Sequence, residues 1–169
     1  MKKTDIGVLP FFFDRYINLS EDLELMAAFE KYNPDTLIDN PRALVALGDY
    51  SYAPGKWSVK DILQHIIDNE RIMCYRALRF SRADHTPLQG YQEELLAGNT
   101  VASSRHVADL IDEWKMVRQG TILLFKYMSD EMLLRKGSAS DVEISVLALA
   151  YVILGHPIHH MNVIKERYF

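Results

Sequence analysis

The chain has 169 residues, of which 49% are hydrophobic and 25% charged, a balance that excludes intrinsic disorder and predicts one domain over residues 1–169. Its 23 acidic residues outnumber its 19 basic ones, and the net charge of −4 disfavours sequence-independent binding to nucleic acid. The single cysteine, Cys74, excludes an intrachain disulfide and is typical of a protein from a reducing compartment.

The start of the chain imitates a signal peptide, because two lysines precede the apolar stretch 6–13. Asp5 and Pro10 interrupt this pattern, and no small-residue cleavage site follows it. The longest apolar run, Ile144 to Leu154, is too short to span a bilayer. We therefore expect a cytoplasmic protein without a membrane partner.

Apolar residues at helical spacing predict a first helix that begins at Ser20 as its cap. This helix is expected to end near Asn33, because a proline at position 34 disfavours helix in the residue before it. A short helix is expected over residues 41–47.

Three longer helices follow, and two of them begin at capping boxes, Ser58-x-x-Asp61 and Ser140-x-x-Glu143. In a capping box a serine hydroxyl and a carboxylate three residues later each accept a hydrogen bond from a free backbone N–H. The helix between these two, predicted from residue 107, carries a sustained apolar stripe with i, i+3 and i+4 spacing. The predicted ranges are 58–82, 107–128 and 140–168.

These four amphipathic helices predict an all-α fold, a four-helix bundle, because each helix must bury its apolar stripe against the others. The sequence has no strict alternation of apolar and polar residues and no Asn-Gly or Asp-Gly hairpin signal. It therefore predicts no β-strand. The connection from Ala83 to Ala102 is about 20 residues long, well beyond the usual length between antiparallel neighbours. If it runs back along the bundle, helices two and three are parallel and helix four is antiparallel to helix two. The topology is then up-down-down-up.

Two of the six histidines, His156 and His160, lie one turn apart on one face of helix four, as two ligands of one cation would. In the inferred topology His65, roughly 10 Å into helix two, lies at nearly the same level. Three histidine ligands leave a fourth position for water or substrate, which is typical of catalytic metal sites. The alternative is that the pair are ordinary helix histidines.

Two carboxylates near His65 are candidate catalytic residues. Glu70 falls on the core face of helix two, where an unpaired charge is unfavourable, so we expect it either to pair with an arginine or to act as a general base. Asp68 lies within one turn of His65 and is expected either to orient that imidazole or to be a solvated surface group.

Several motifs along the chain, in this order, carry a family resemblance. They are Tyr52-Ala53-Pro54-Gly55-Lys56-Trp57-Ser58-Val59-Lys60, then His65, Asp68, Glu70, Arg76 and Arg79, then Pro87-Leu88-x-Gly90-Tyr91, and finally Gly155-His156-x-x-His159-His160. With them the chain resembles the DinB-like family, and within it the YfiT-type branch of metal-dependent hydrolases and bacillithiol transferases.

The resemblance implies a four-helix bundle, often a homodimer, that holds a divalent cation, commonly nickel, zinc or iron. Its three ligands carry over to His65, His156 and His160. It also implies an enzyme that acts on a small molecule, either a hydrolase or a transferase using a low-molecular-weight thiol. Pro157 stands where family members usually have an acidic residue, which leaves the ligands intact but alters the local helix. The alternative function is a non-catalytic, metal-stabilised helical stress or binding protein.

Overall fold

The computed structural model describes residues 1–169, and three long helices, α5, α7 and α9, form its frame. Six short helices and a β-hairpin cover them, with 3₁₀ turns at Lys3–Ile6 and Ala102–Ser104. In chain order the elements are α1 (Asp14–Ile17), α2 (Leu25–Lys31), α3 (Pro34–Leu37), α4 (Pro41–Ala46), α5 (Val59–Ser81), α6 (Glu93–Gly98), α7 (Val107–Lys126), α8 (Asp130–Leu134), β1 (Lys136–Ala139), β2 (Val142–Ser145) and α9 (Val146–Arg167).

Helices α5 and α7 lie where the sequence predicts them. Helix α5 begins after the predicted capping box: the Asp61 N–H donates to the Ser58 hydroxyl at 3.2 Å, and the Ser58 N–H donates to the Asp61 carboxylate at 2.9 Å. Helix α7 follows His106 and ends within two residues of the predicted position. Local capping and apolar periodicity are therefore sufficient to define both helices.

The predicted start of the fourth helix at Ser140 and Glu143 is wrong, because α9 begins at Val146. Ser145 is its cap, with the hydroxyl accepting the Ala148 N–H at 3.1 Å. The residues before this cap form the antiparallel hairpin of β1 and β2.

The prediction that the chain contains no strand is therefore also wrong. A two-residue turn joins β1 to β2, and both of its residues, Ser140 and Asp141, have positive φ values of 53° and 61°. Such a turn matches the twist of a hairpin and more often contains Asn-Gly or Asp-Gly. Ser-Asp at this place gave no hairpin signal in the sequence.

The first helix is shorter than predicted. Helix α2 begins at Leu25 rather than Ser20, whose hydroxyl donates instead to the Ile17 carbonyl at 3.0 Å. Three short helices, α1, α2 and α3, therefore occupy the fourth position of the bundle, where they pack against α7 and α9.

The predicted up-down-down-up topology is confirmed by the contacts along α5. Arg105 before α7 donates to Gln64 at 2.8 Å, and Thr121 near the end of α7 lies 3.2 Å from Cys74, so α5 and α7 are parallel. Arg135, which precedes α9, donates to the carbonyl of Ser81 at the end of α5 at 2.6 Å. Helix α9 therefore runs antiparallel to α5, as the long connection predicts.

Helix α9 is the central helix of the core. Its first residues, from Val146 to Leu154, are all buried among the other helices. By length and composition alone it is the one helix apolar enough to cross a membrane, but most of its apolar stretch is buried within the protein. It is therefore the core helix that the apolar run 144–154 predicts.

Candidate metal centre

Helices α5 and α9 bring three imidazoles together at one end of the bundle. The Nε2 atom of His156 lies 2.9 Å from Nε2 of His65 and 3.1 Å from Nε2 of His160. The ligand atoms of all three lie within 4.8 Å of one another. Two imidazole nitrogens bound to one cation at ordinary bond lengths and angles are about 2.8–3.4 Å apart. The spacing therefore fits three ligands of one cation.

Ordinary hydrogen bonding does not account for this arrangement. A neutral imidazole nitrogen carries either one proton or one lone pair, so Nε2 of His156 cannot make a full hydrogen bond with both neighbours. A shared cation would accept all three lone pairs at once. The donor set, three imidazoles without a thiolate or carboxylate, suits zinc, nickel or iron.

Burial keeps the three imidazoles neutral. It lowers the pKa of His65 to about 4 and that of His160 to about 3, and it holds the pKa of His156 well below the usual value. Neighbouring imidazoles lower these pKa values further, because a second positive charge nearby would be repelled. Since only a neutral imidazole binds a cation, all three are in the binding form at neutral pH.

Aromatic side chains, rather than carboxylates, pack around these imidazoles. The Trp57 ring lies 4.7 Å from the His65 ring and stacks 6.4 Å from that of His160. The Tyr16 ring meets His156 edge-on at 5.2 Å. The close polar contacts of the three imidazoles are only with one another, so packing fixes their orientation.

Gly155 allows the backbone of α1 to approach α9 closely. A Cβ atom at this position would fall on the backbone carbonyl of Tyr16, well inside van der Waals contact. A backbone carbonyl cannot move aside as the end of a flexible side chain can. The glycine of the Gly-His motif is therefore needed to place the Tyr16 ring against His156.

The variant Gly155→Ala is expected to push α1 away from α9. Overpacking of this kind typically destabilises a protein by about 1–3 kcal/mol. For a chain of this length each kcal/mol lowers the melting temperature by about 2–4 °C. Thermal melts are the measurement, and Gly120→Ala, at a helical position with open space around it, is the control. A Gly155→Ala variant that melts at the wild-type temperature would contradict the packing argument.

Pro157 lies inside α9, which continues through it. Proline lacks an N–H, so the carbonyl of Ile153 loses its helical hydrogen bond. The Nη2 atom of Arg118 donates to that carbonyl at 3.4 Å. A side chain from α7 therefore replaces the missing donor next to His156.

The structure places Glu70 in a buried ion pair. Its carboxylate accepts hydrogen bonds from Nε and Nη2 of Arg118, at 2.8 and 2.9 Å. Trp114 and Thr121 also donate to it, at 3.2 and 2.7 Å. None of its hydrogen bonds reaches a histidine. This environment favours pairing with an arginine over the alternative of a general base.

The variant Arg118→Met is expected to destabilise the protein by about 3–5 kcal/mol, because it leaves the buried Glu70 carboxylate without its cation. The double variant Arg118→Met/Glu70→Leu should recover part of this loss, since an apolar pair can replace a buried ion pair. The recovery stays incomplete because Arg118 also donates to the carbonyls of Tyr32 and Ile153. Urea denaturation of the two variants is the measurement. Wild-type stability in the single variant would contradict the role of the pair.

The Asp68 carboxylate makes no hydrogen bond with His65. It accepts a hydrogen bond from Gln64 at 2.9 Å and lies 3.8 Å from Arg71. Partial burial raises its pKa. The side chain that follows it, Asn69, is buried and donates to the Tyr91 hydroxyl at 2.9 Å, a contact that no sequence pattern predicts.

The other histidines and Cys74 are not members of the cluster. The His159 ring packs 5.0 Å from that of His160 and 5.7 Å from that of Tyr16. His85 is exposed in the long connection. Burial raises the pKa of the Cys74 thiol to about 11, so this thiol stays protonated and unreactive at neutral pH.

The fold and the cluster together define a helical bundle with a three-histidine candidate metal centre. The family model of the DinB superfamily matches residues 24–164, and the chain belongs to this superfamily. The predicted family is therefore confirmed.

Among solved structures the chain is similar to YfiT from Bacillus subtilis. The TM-score is 0.72 at 16% sequence identity, and the match covers 84% of this chain and 82% of that chain. YfiT is described as a probable metal-dependent hydrolase with an unusual four-helix bundle topology. This likeness confirms the predicted bundle. No curated protein matches the sequence.

Proposed function

We propose that the protein is a metal-dependent enzyme that acts on a small molecule, with His65, His156 and His160 as the ligands of one divalent cation. When bound, the cation would lower the pKa of a water or small thiol and so supply a nucleophile at neutral pH. Hydrolysis and transfer to a low-molecular-weight thiol both use this chemistry.

The observation that carries the proposal is the meeting of three neutral Nε2 atoms from two helices. Three protein ligands leave a coordination position for water or substrate, whereas structural zinc sites are closed by four. The description of YfiT as a probable metal-dependent hydrolase supports the same class of activity.

The aromatic side chains around the histidines hold them in place and shield them in part from water, while His160 still lines an open cavity. Trp57 covers His65 and His160, and its indole N–H donates to the Glu94 carboxylate at 3.1 Å. Tyr16 packs edge-on against His156. Exclusion of water strengthens the electrostatic interactions within the site. We assign no proton transfer to Glu70, because its hydrogen bonds are all with Trp114, Arg118 and Thr121. Asp68 is the carboxylate that we propose for proton transfer.

We further propose that residues 1–169 form one domain that works in the cytoplasm as a homodimer, as the composition and the family resemblance imply. Sedimentation of the purified chain tests the dimer: a single species with twice the chain mass supports it, and a monomer at micromolar concentration contradicts it.

An activity screen tests the proposed function. The protein, loaded in turn with Zn²⁺, Ni²⁺ or Fe²⁺, is offered chromogenic esters and amides, and separately monochlorobimane with cysteine as the thiol. Activity that requires one equivalent of metal supports the proposal, and a requirement for cysteine identifies thiol transfer. Stoichiometric metal without any activity would favour the non-catalytic alternative.

A further inference from the structure

A second site adjoins the histidine cluster. A cavity of about 450 Å³ lies between the N-terminal segment, α5, the hairpin turn and the loop that precedes α6. The wall is mostly apolar and includes three consecutive phenylalanines, Phe11 to Phe13. Tyr16 lines this cavity and also packs on His156, so the cavity and the cluster share this side chain as a neighbour.

The cavity wall contains a buried cation without an acidic partner. Arg76 is 2% exposed, and its Nη2 atom donates to the Gln89 carbonyl at 3.2 Å and to the Ser140 hydroxyl at 3.0 Å. Both acceptors are neutral, whereas the other fully buried arginine, Arg118, pairs with Glu70. A buried charge is normally paired, so this guanidinium points to a ligand that carries an anion.

The same wall contains an unsatisfied amide. Asn69 is 5% exposed, and its Oδ1 atom has no hydrogen-bond partner, while Nδ2 donates to the Tyr91 hydroxyl. Turning the amide round would satisfy Oδ1 and leave Nδ2 unsatisfied instead. In either orientation one end of this buried amide lacks a hydrogen-bond partner. A bound ligand would supply that partner.

These groups follow one another along α5 from the cluster outwards. Asn69 is four residues, roughly 6 Å, beyond His65, and Arg76 is seven residues, roughly 10 Å, further on. Helical side chains lean towards the N-terminus of their helix, which directs the guanidinium back towards Asn69. Along α5 the order is therefore the candidate metal ligand His65, the Asn69 amide and the Arg76 cation.

We propose that this cavity binds an N-acylated amino acid as the substrate class of the proposed function, on which the inference rests. The free carboxylate pairs with Arg76, the ligand amide hydrogen-bonds with Asn69, and an apolar side chain packs on the phenylalanines. The acyl group then points towards the histidine cluster. Glu93 also lines the cavity and disfavours a second anionic group, so a monocarboxylate fits better than a phosphate dianion.

Calorimetry with N-acetyl-L-phenylalanine and N-acetyl-L-phenylalanine amide tests the proposal, because the two probes differ only in the carboxylate. The wild-type protein should bind the acid at least about 10-fold more tightly than the amide, as expected for a hydrogen bond to a charged group. Arg76→Met should abolish this preference. Arg79→Met is the matched control, since Arg79 pairs with Asp84 outside the cavity, and it should keep the preference.

Equal affinity of the wild-type protein for acid and amide would overturn the proposal, and so would a preference that survives in folded Arg76→Met. If Arg76→Met fails to fold, Arg76→Ala and Arg76→Lys provide the comparison: the lysine should keep a preference for the acid. Each titration is run without metal and with Zn²⁺. Acid preference without Zn²⁺ binding would contradict only the proposed metal centre, and Zn²⁺ binding without acid preference would contradict only the ligand.

Discussion

Replacing His160 with alanine is expected to abolish stoichiometric binding of a divalent cation, and His65→Ala and His156→Ala are expected to have the same effect. Each change removes one of three ligands and opens the site to water and chelators. The loss of affinity should exceed the roughly 10- to 100-fold effect of removing an outer partner of a metal ligand.

Elemental analysis of the purified variants, followed by titration with Zn²⁺, is the measurement. His85→Ala is the control, because His85 is exposed in the connection after α5 and lies outside the cluster. It should retain one equivalent of metal. Full metal retention in His160→Ala would remove His160 from the ligand set.

The metal-free protein is expected to lose stability steeply as the pH falls below about 6.5, the pKa of a histidine in an unfolded chain. Burial lowers the pKa of His65 to about 4 and of His160 to about 3. Between pH 6.5 and about pH 4, the unfolded chain therefore binds protons at these histidines that the folded chain does not. The free energy of unfolding is therefore highest above pH 6.5 and falls by about 1.4 kcal/mol per pH unit for each neutral imidazole.

Urea denaturation of metal-free protein at several pH values between 7 and 5 gives this slope. His160→Gln removes one buried imidazole and should make the slope shallower by about one proton. Stability that stays constant from pH 7 to pH 5 would show that the imidazoles are not held neutral by the fold.

The parts of the fold that the sequence predicts are those set by local interactions. The Ser58 capping box and the apolar stripes define α5 and α7 to within two residues. The long connection predicts that these helices are parallel. The hairpin before α9 gave no such signal, because Ser140 and Asp141 adopt positive φ values that neither residue type strongly specifies.

The histidine cluster was predictable because helical spacing and helix level together place its members. The groups around it were not, because they come from distant parts of the chain. Tyr16 reaches His156 from a short helix whose position depends on Gly155, and Arg118 reaches Glu70 across 48 residues. Long-range packing of this kind has no period in the sequence.

X-ray absorption at the zinc edge of protein loaded with one equivalent of Zn²⁺ tests the three-histidine centre most directly. We expect three imidazole nitrogens at about 2.0–2.1 Å and one further oxygen ligand from water. A sulfur ligand at about 2.3 Å, or fewer than three imidazoles, would contradict the proposed centre.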